Sequence, residues 1–150
     1  MIIVNSRLDY SANWNTPDIY LFTGNSYITK NGKLVMGRGA ALACRDLFTD
    51  CDKQFAFKIL TSKYTPNYFV EFIELAPDKL LGAFQVKHNF ADNADIELIK
   101  KSAKKLKHIA TQKPHIKFHM NFPGIGYGGL PFNIVLPIVD KLPNNVILYK

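Results

Sequence analysis

Phe122-Pro123-Gly124-Ile125-Gly126-Tyr127-Gly128-Gly129-Leu130 places four glycines within residues 124–129, directly after a stretch, His115 to Phe122, whose apolar and polar side chains alternate as in a strand. Glycine loses more conformational freedom on folding than any other residue, and ordinary turns seldom need so many. A backbone wrapped around a ligand explains the density, with a glycine-containing turn as the competing reading. Beyond the loop, a helix is expected near Leu136 to Leu142, with Pro137 in its first turn, where a missing amide proton has no partner to lose. Val146 to Tyr149 reads as a closing strand. Strand, loop, helix and strand in that order describe an α/β unit.

The same alternation runs back to the N terminus. Ile2 to Asn5 and Asp18 to Thr23 are short, β-branched or aromatic, and bounded by turn residues, so both read as strands; the turn-rich segment Ser11 to Pro17 between them carries the only tryptophan, Trp14. Ala40 to Phe48 is rich in helix formers. A second helix over about Asp52 to Leu60 is preferred, although Phe55, Phe57 and Ile59 also suit a strand. Tyr68 to Leu75 and Leu80 to Val86 flank Ala76-Pro77-Asp78-Lys79, a turn signal that predicts a hairpin. Ile96, Ile99, Ala103, Leu106 and Ile109 or Ala110 recur at helical spacing, predicting an amphipathic helix that begins near Asp95, whose carboxylate can accept from first-turn amides, and ends before Pro114. With no linker, repeat or low-complexity run, residues 1–150 read as a single domain of α/β class with a mixed sheet, its ligands expected at the carboxyl ends of strands.

With 47% hydrophobic and 21% charged residues over 150 positions, the composition is that of a globular domain and excludes disorder and fibre. No run of about 18 apolar residues exists, so no membrane partner is expected, and Met1 leads into the brief apolar run Ile2-Ile3-Val4 rather than a signal peptide; a cytoplasmic location follows as an expectation. Cys44 and Cys51 read as small core residues rather than a redox pair. His88, His108, His115 and His119 have no metal-ligand spacing with them, so neither metal nor cofactor is expected. The formal charge of +7 favours polyanions and phosphorylated ligands. Much of it lies in Lys100, Lys101, Lys104, Lys105 and Lys107, which helical spacing turns outward: either a solvated face or a surface for nucleic acid.

A second glycine-bearing loop, Leu34-Val35-Met36-Gly37-Arg38-Gly39-Ala40-Ala41, follows a strand-like segment and runs into the helix starting at Ala40. Its glycines permit close backbone approach, and the helix offers unpaired amides and the positive end of its dipole, an arrangement that accepts phosphate. Two such loops on different strands of one sheet point to an extended ligand such as a diphosphate, gripped from both sides. A P-loop is excluded because no glycine precedes Lys-Ser or Lys-Thr. A dinucleotide-binding fingerprint is disfavoured because Gly37-Arg38-Gly39 lacks the third glycine at its spacing.

Together with Thr23-Gly24-Asn25-Ser26, these two loops resemble those of the macrodomains, α/β/α modules that bind ADP-ribose, and the resemblance covers nearly the whole chain. It is closest to the compact branch with Met-Gly-Lys-Gly or Met-Gly-Ala-Gly in the first loop, which includes the terminal ADP-ribose protein glycohydrolase, the antitoxin macrodomain that strips ADP-ribose from DNA, and small stand-alone bacterial or phage members. The resemblance implies a three-layer α/β/α fold with a mixed central sheet. It implies that Gly37, Arg38, Gly39 and Ala40 line the distal ribose and diphosphate, and that Pro123, Gly124, Ile125, Gly126, Tyr127, Gly128 and Gly129 form the opposing phosphate loop. Asn25 takes the place of the ribose-contacting asparagine, though Phe22-Thr23-Gly24 replaces the family's Asn-Ala-Ala before it; a turn asparagine is the alternative.

Lys87 falls where the glycohydrolase-like branch carries the lysine that attacks the anomeric carbon of an opened ribose, and with Asn25 it makes up the catalytic candidates. The role requires an amine deprotonated part of the time, as in a partly desolvated pocket beside other cations; a strand-end surface lysine is the alternative. The family's acidic partner in the second loop is missing, because residues 122–130 contain no Asp or Glu. For adenine, the usual Gly-Asp-Ile context is absent; Asp18 precedes an isoleucine but opens the second strand, and Tyr127 and Phe132 are aromatic candidates that serve equally as packing residues. The expected partner is ADP-ribose or an ADP-ribosylated macromolecule, with nucleic acid a further candidate. Three outcomes stay open: a reader, a hydrolase of ADP-ribosyl linkages, or a processor of ADP-ribose 1″-phosphate. The alternative class is a basic nucleic-acid-binding protein without ADP-ribose activity.

Overall fold

The computed structural model describes residues 1–12, 14 and 17–150. Of the turn-rich segment 11–17, positions 13, 15 and 16 therefore lie outside the described residues. The elements run β1 (Ile2–Val4), β2 (Ile19–Gly24), α1 (Gly39–Leu47), α2 (Cys51–Leu60), β3 (Val70–Ala76), β4 (Lys79–Gln85), α3 (Ile96–Gln112), β5 (Phe118–Asn121), α4 (Phe132–Val139) and β6 (Val146–Tyr149). The six strands form one sheet in the order β1-β6-β5-β2-β4-β3. All neighbours are parallel except the β3–β4 hairpin. The sheet is thus mixed, as expected.

Side-chain alternation along the strands supplies two cores, one on each face. Ile19 and Leu21 of β2 join Phe118, Met120, Val146 and Leu148 against Ile99, Leu106, Val135 and Val139 of α3 and α4. Tyr20 and Phe22 face the other way, against Cys44 of α1 and Cys51, Phe55 and Ile59 of α2. Helix, sheet and helix make the three layers. In α2 the ambiguous aromatic pattern resolves as a helix: Phe55 and Ile59, four apart, are buried, while Phe57 between them is 68% exposed. Cys44 and Cys51 are both free and buried, and burial pushes the Cys51 thiol up to about 11 and that of Cys44 higher still, so neither supplies thiolate near neutral pH.

Asp95 caps α3, its Oδ1 accepting from Glu97 N at 2.8 Å and Leu98 N at 3.4 Å. Lys100, Lys101, Lys104 and Lys107 are exposed; Lys105 instead turns back to donate to the Tyr68 carbonyl at 3.2 Å. Three expectations need correcting. The strand expected over His115 to Phe122 is limited to Phe118–Asn121, because the Ile116 amide closes a turn onto Lys113 O and Asn145 Nδ2 gathers the carbonyls of Ala110, Lys113 and Ile116. The last helix starts earlier, at Phe132 after Pro131, which leaves Pro137 inside it rather than in its first turn. The carbonyl of Asn133 that Pro137 cannot serve belongs to an exposed residue, where water can satisfy it. Lastly, Leu34 before the first glycine loop belongs to no strand of the sheet; it pairs only with Ile28, across a small local turn.

Gly82 of β4 shows how tightly the sheet packs on the face covered by α3 and α4. A Cβ there would stand 2.6 Å from Leu21 Cγ and 2.8 Å from Phe72 Cε1. Gly82→Ala is expected to cost about 1–3 kcal/mol through overpacking, measured as a lower midpoint in urea unfolding with an unchanged slope.

Candidate functional site

Parallel strands bring their carboxyl ends to one edge of the sheet, and a cleft of about 930 Å³ runs along that edge. Across it in spatial order stand Lys87 after β4, Asn25 after β2, the second glycine loop after β5, Tyr149 and Lys150 at the end of β6, and Arg7 after β1. Strands lie about 4.8 Å apart, so the four steps from β4 to β1 span roughly 19 Å, the length of an extended two-ended ligand. The first glycine loop and the start of α1 (Gly37, Arg38, Gly39, Ala40 and Ala41) close the side opposite the second loop. The N-cap of α1, Arg38, makes no side-chain cap, leaving the first-turn amides to a ligand or water.

The glycines of the second loop do different jobs. A Cβ on Gly128 would stand 2.6 Å from the Gly124 carbonyl oxygen, and one on Gly124 would stand 2.7 Å from Ile99 Cδ1, so Gly128 serves the loop's own closure and Gly124 its seating on α3. That closure is held by Leu130 N to Gly124 O at 2.9 Å and Ala94 N to Gly128 O at 2.8 Å. A Cβ on Gly126, by contrast, would meet nothing within 4 Å, and the same is true of Gly37 across the cleft. Glycine density therefore overstates the ligand-facing backbone: much of it is internal to the turn. At the rim the loops touch, the Arg38 guanidinium lying 5.5 Å from the centroid of the Tyr127 ring, which is 67% exposed.

Lys87 follows β4, its Nζ donating to the carbonyls of Asp92 at 3.0 Å and Phe90 at 3.4 Å. Burial, and then the Arg38 guanidinium, hold its pKa below the ordinary lysine value, while the Asp92 carboxylate pulls the other way. Gln85, fully buried, positions this strand end: its Oε1 accepts from Tyr68 N and Phe69 N, and its Nε2 donates to Lys87 O at 3.4 Å. Asn25 lines the cleft but is also a turn residue, Oδ1 accepting from Tyr27 N at 2.9 Å and Nδ2 donating to Val35 O at 3.0 Å. Among the described residues Asp46 is the only carboxylate side chain in the lining, and it is exposed beside Arg45.

Arg38, Ala40, Ile125, Tyr127, Lys87 and Asn25 all line the cleft, as do Gly37, Gly39, Gly124, Gly126 and Gly128. Pro123 and Gly129 do not: Pro123 is buried under the loop, and Gly129 backs onto Asn93. The aromatic and acidic candidates for the base also fall away from the cleft, Tyr127 excepted. Phe132 packs on Phe122 at 5.0 Å and carries Lys150 Nζ over its ring at 4.3 Å. Asp18 is engaged by His119 Nε2 at 3.0 Å, the other ring nitrogen of which lies 2.8 Å from the Tyr149 hydroxyl. Sequence reasoning missed Arg7, Tyr10, Asn121, Tyr149 and Lys150, which line the far end. All but Tyr10 lie at or near a strand terminus, but only the strand order reveals that β1 and β6 extend the same edge. Among the described residues no three His, Cys, Asp or Glu side chains are grouped to hold a metal, and no helix is long and apolar enough to cross a membrane.

No family model and no curated protein matches the chain by sequence. Solved structures do match in three dimensions. The macrodomain of Mycobacterium tuberculosis DarG aligns with a TM-score of 0.71 at 18% identity, over 99% of this chain and 97% of that one. The macrodomain of Thermus aquaticus DarG aligns at 0.65 and 22% identity, over 99% and 96%. Thermosipho africanus DarTG, solved in complex with ADP-ribose, aligns at 0.64 and 19% identity over 89% of this chain, which spans only 38% of that longer protein.

Proposed function

We propose that this chain, which has the macrodomain fold, acts over residues 1–150 as a single module that binds ADP-ribose or an ADP-ribosyl group in the cleft along the carboxyl edge of its sheet. One observation carries the reading: two glycine loops far apart in sequence, Asn25 and Lys87 line one cleft long enough for a sugar, a diphosphate and a nucleoside in line. The open backbone at Gly37 and Gly126 and the uncapped start of α1 take the diphosphate. Lys87 and Arg38 then flank the terminal ribose, and the nucleoside lies toward β6 and β1. Isothermal titration with free ADP-ribose tests the reading; a folded sample that evolves no heat at submillimolar ligand would refute it.

At the ribose end we propose hydrolysis, with Lys87 as the nucleophile. Its depressed pKa supplies neutral amine at lower pH than a free lysine would. Attack at the anomeric carbon displaces the acceptor, which takes a proton, and water then releases ADP-ribose and restores the amine. No carboxylate of the second loop assists, which favours acceptors that leave without strong acid catalysis.

A second reading, nucleic-acid binding through α3, is favoured by Lys101, Lys104 and Lys107, which are exposed and make no ion pair among the described residues. It requires affinity for single-stranded DNA or RNA that falls steeply with salt and is lost on reversing those three charges; an affinity indifferent to both changes removes it.

A further inference from the structure

Among the described residues four cationic side chains line the cleft, Arg7, Arg38, Lys87 and Lys150, against one acidic side chain, Asp46. Arg38 and Lys87 stand at the ribose end of the function proposed above. Arg7 and Lys150 stand at the other end, beyond the glycine loops, where ADP-ribose carries no charge. Both line this end because β1 and β6 are parallel neighbours ending level, Val4 opposite Tyr149, with the Lys150 amide donating to Val4 O at 3.0 Å. Neither side chain makes an ion pair among the described residues; Lys150 Nζ rests over the Phe132 ring, and Arg7 is exposed.

Arg7 and Lys150 put two like charges on one rim, where they repel each other, the Phe132 ring being the one side-chain partner that either has among the described residues. An anion on the ligand relieves the repulsion, and a phosphate monoester, with its oxygens spread over three directions, accepts from a guanidinium and an ammonium at once. We infer that the far end of the cleft, through Arg7 and Lys150, receives a phosphate esterified to the ribose hydroxyls of the nucleoside, so that the preferred ligand is a 2′- or 3′-phosphorylated ADP-ribosyl group. The inference rests on the orientation proposed above, with the terminal ribose at Lys87.

Calorimetric titration with ADP-ribose, ADP-ribose 2′-phosphate and ADP-ribose 3′-phosphate separates the two proposals. At low salt one phosphorylated isomer is expected to bind roughly tenfold more tightly than ADP-ribose, an advantage that shrinks at high salt as screening shortens the reach of exposed charges. In Arg7→Ala and Lys150→Ala the ratio between the isomer and ADP-ribose falls toward one, and in Arg7→Glu it inverts; Lys150→Glu reads the same inversion if Arg7→Glu does not fold. If ADP-ribose binds while both phosphorylated isomers bind equally or more weakly, the inference is overturned and the function stands. If ADP-ribose itself does not bind, the function falls and takes the inference with it. A tenfold preference that survives all of these substitutions also overturns the assignment to Arg7 and Lys150.

Discussion

Gly126→Glu is expected to weaken ADP-ribose binding by at least about 100-fold while leaving the protein folded. The new side chain would project into the cleft from a backbone that has open space at the Cβ position and no left-handed conformation to strain. A carboxylate roughly 5 Å from a diphosphate, at an effective dielectric near 20, is repelled by about 3 kcal/mol per charge before salt screening, which already exceeds the 100-fold threshold. The contrast is Gly128→Ala, a far smaller substitution, whose methyl would press on the Gly124 carbonyl and disturb the whole loop. Calorimetry paired with thermal melting distinguishes them: the first variant melts like the parent but does not bind, while the second melts early. Parent-like affinity in Gly126→Glu would show that the diphosphate does not pass this residue.

Lys87→Ala is expected to reduce release of ADP-ribose from a modified substrate by at least about 100-fold, with affinity for free ADP-ribose largely kept, because a nucleophile is lost and little binding surface with it. The pH profile carries the sharper signature. Only the neutral amine attacks, so the rate climbs as the ammonium loses its proton and levels off below the ordinary lysine value, burial and Arg38 having lowered the pKa. Arg38→Gln removes a neighbouring positive charge, makes the ammonium easier to keep, and so moves the rise to higher pH. Equal turnover by Lys87→Ala and the parent, or a profile unmoved by Arg38→Gln, would remove the lysine mechanism.

Much of the fold is legible in the residues. The β-branched and aromatic run in Ile19 to Phe22, helical spacing in Ile96 to Ala110 and the aspartate before it specify elements through local physics, and these stand where expected. The helix around Pro137 begins before the position that proline's first-turn preference suggests, because that preference is only an average tendency and Pro131 already occupies the start. The fate of His115 and Ile116 is decided by Asn145, about thirty residues on, whose amide no local pattern connects to them. In the site, both glycine loops, Lys87 and Asn25 are visible because rare backbone demands and a family pattern mark them. Arg7 and Lys150 are not, since their nearness comes from strand order, a long-range property. A glycine count cannot separate ligand contact from packing, and in the second loop Gly128 answers first to the Gly124 backbone and Gly124 to Ile99 of α3.

The Asn25 amide cannot be turned over. Rotating it by half a turn would set its NH₂ against the Tyr27 N–H and its oxygen against the Val35 carbonyl, two repulsions in place of two hydrogen bonds. Its remaining hydrogen and lone pair are thereby fixed in direction before any guest arrives. An isosteric aspartate keeps the shape but forfeits the donor and sets a carboxylate oxygen against the Val35 carbonyl.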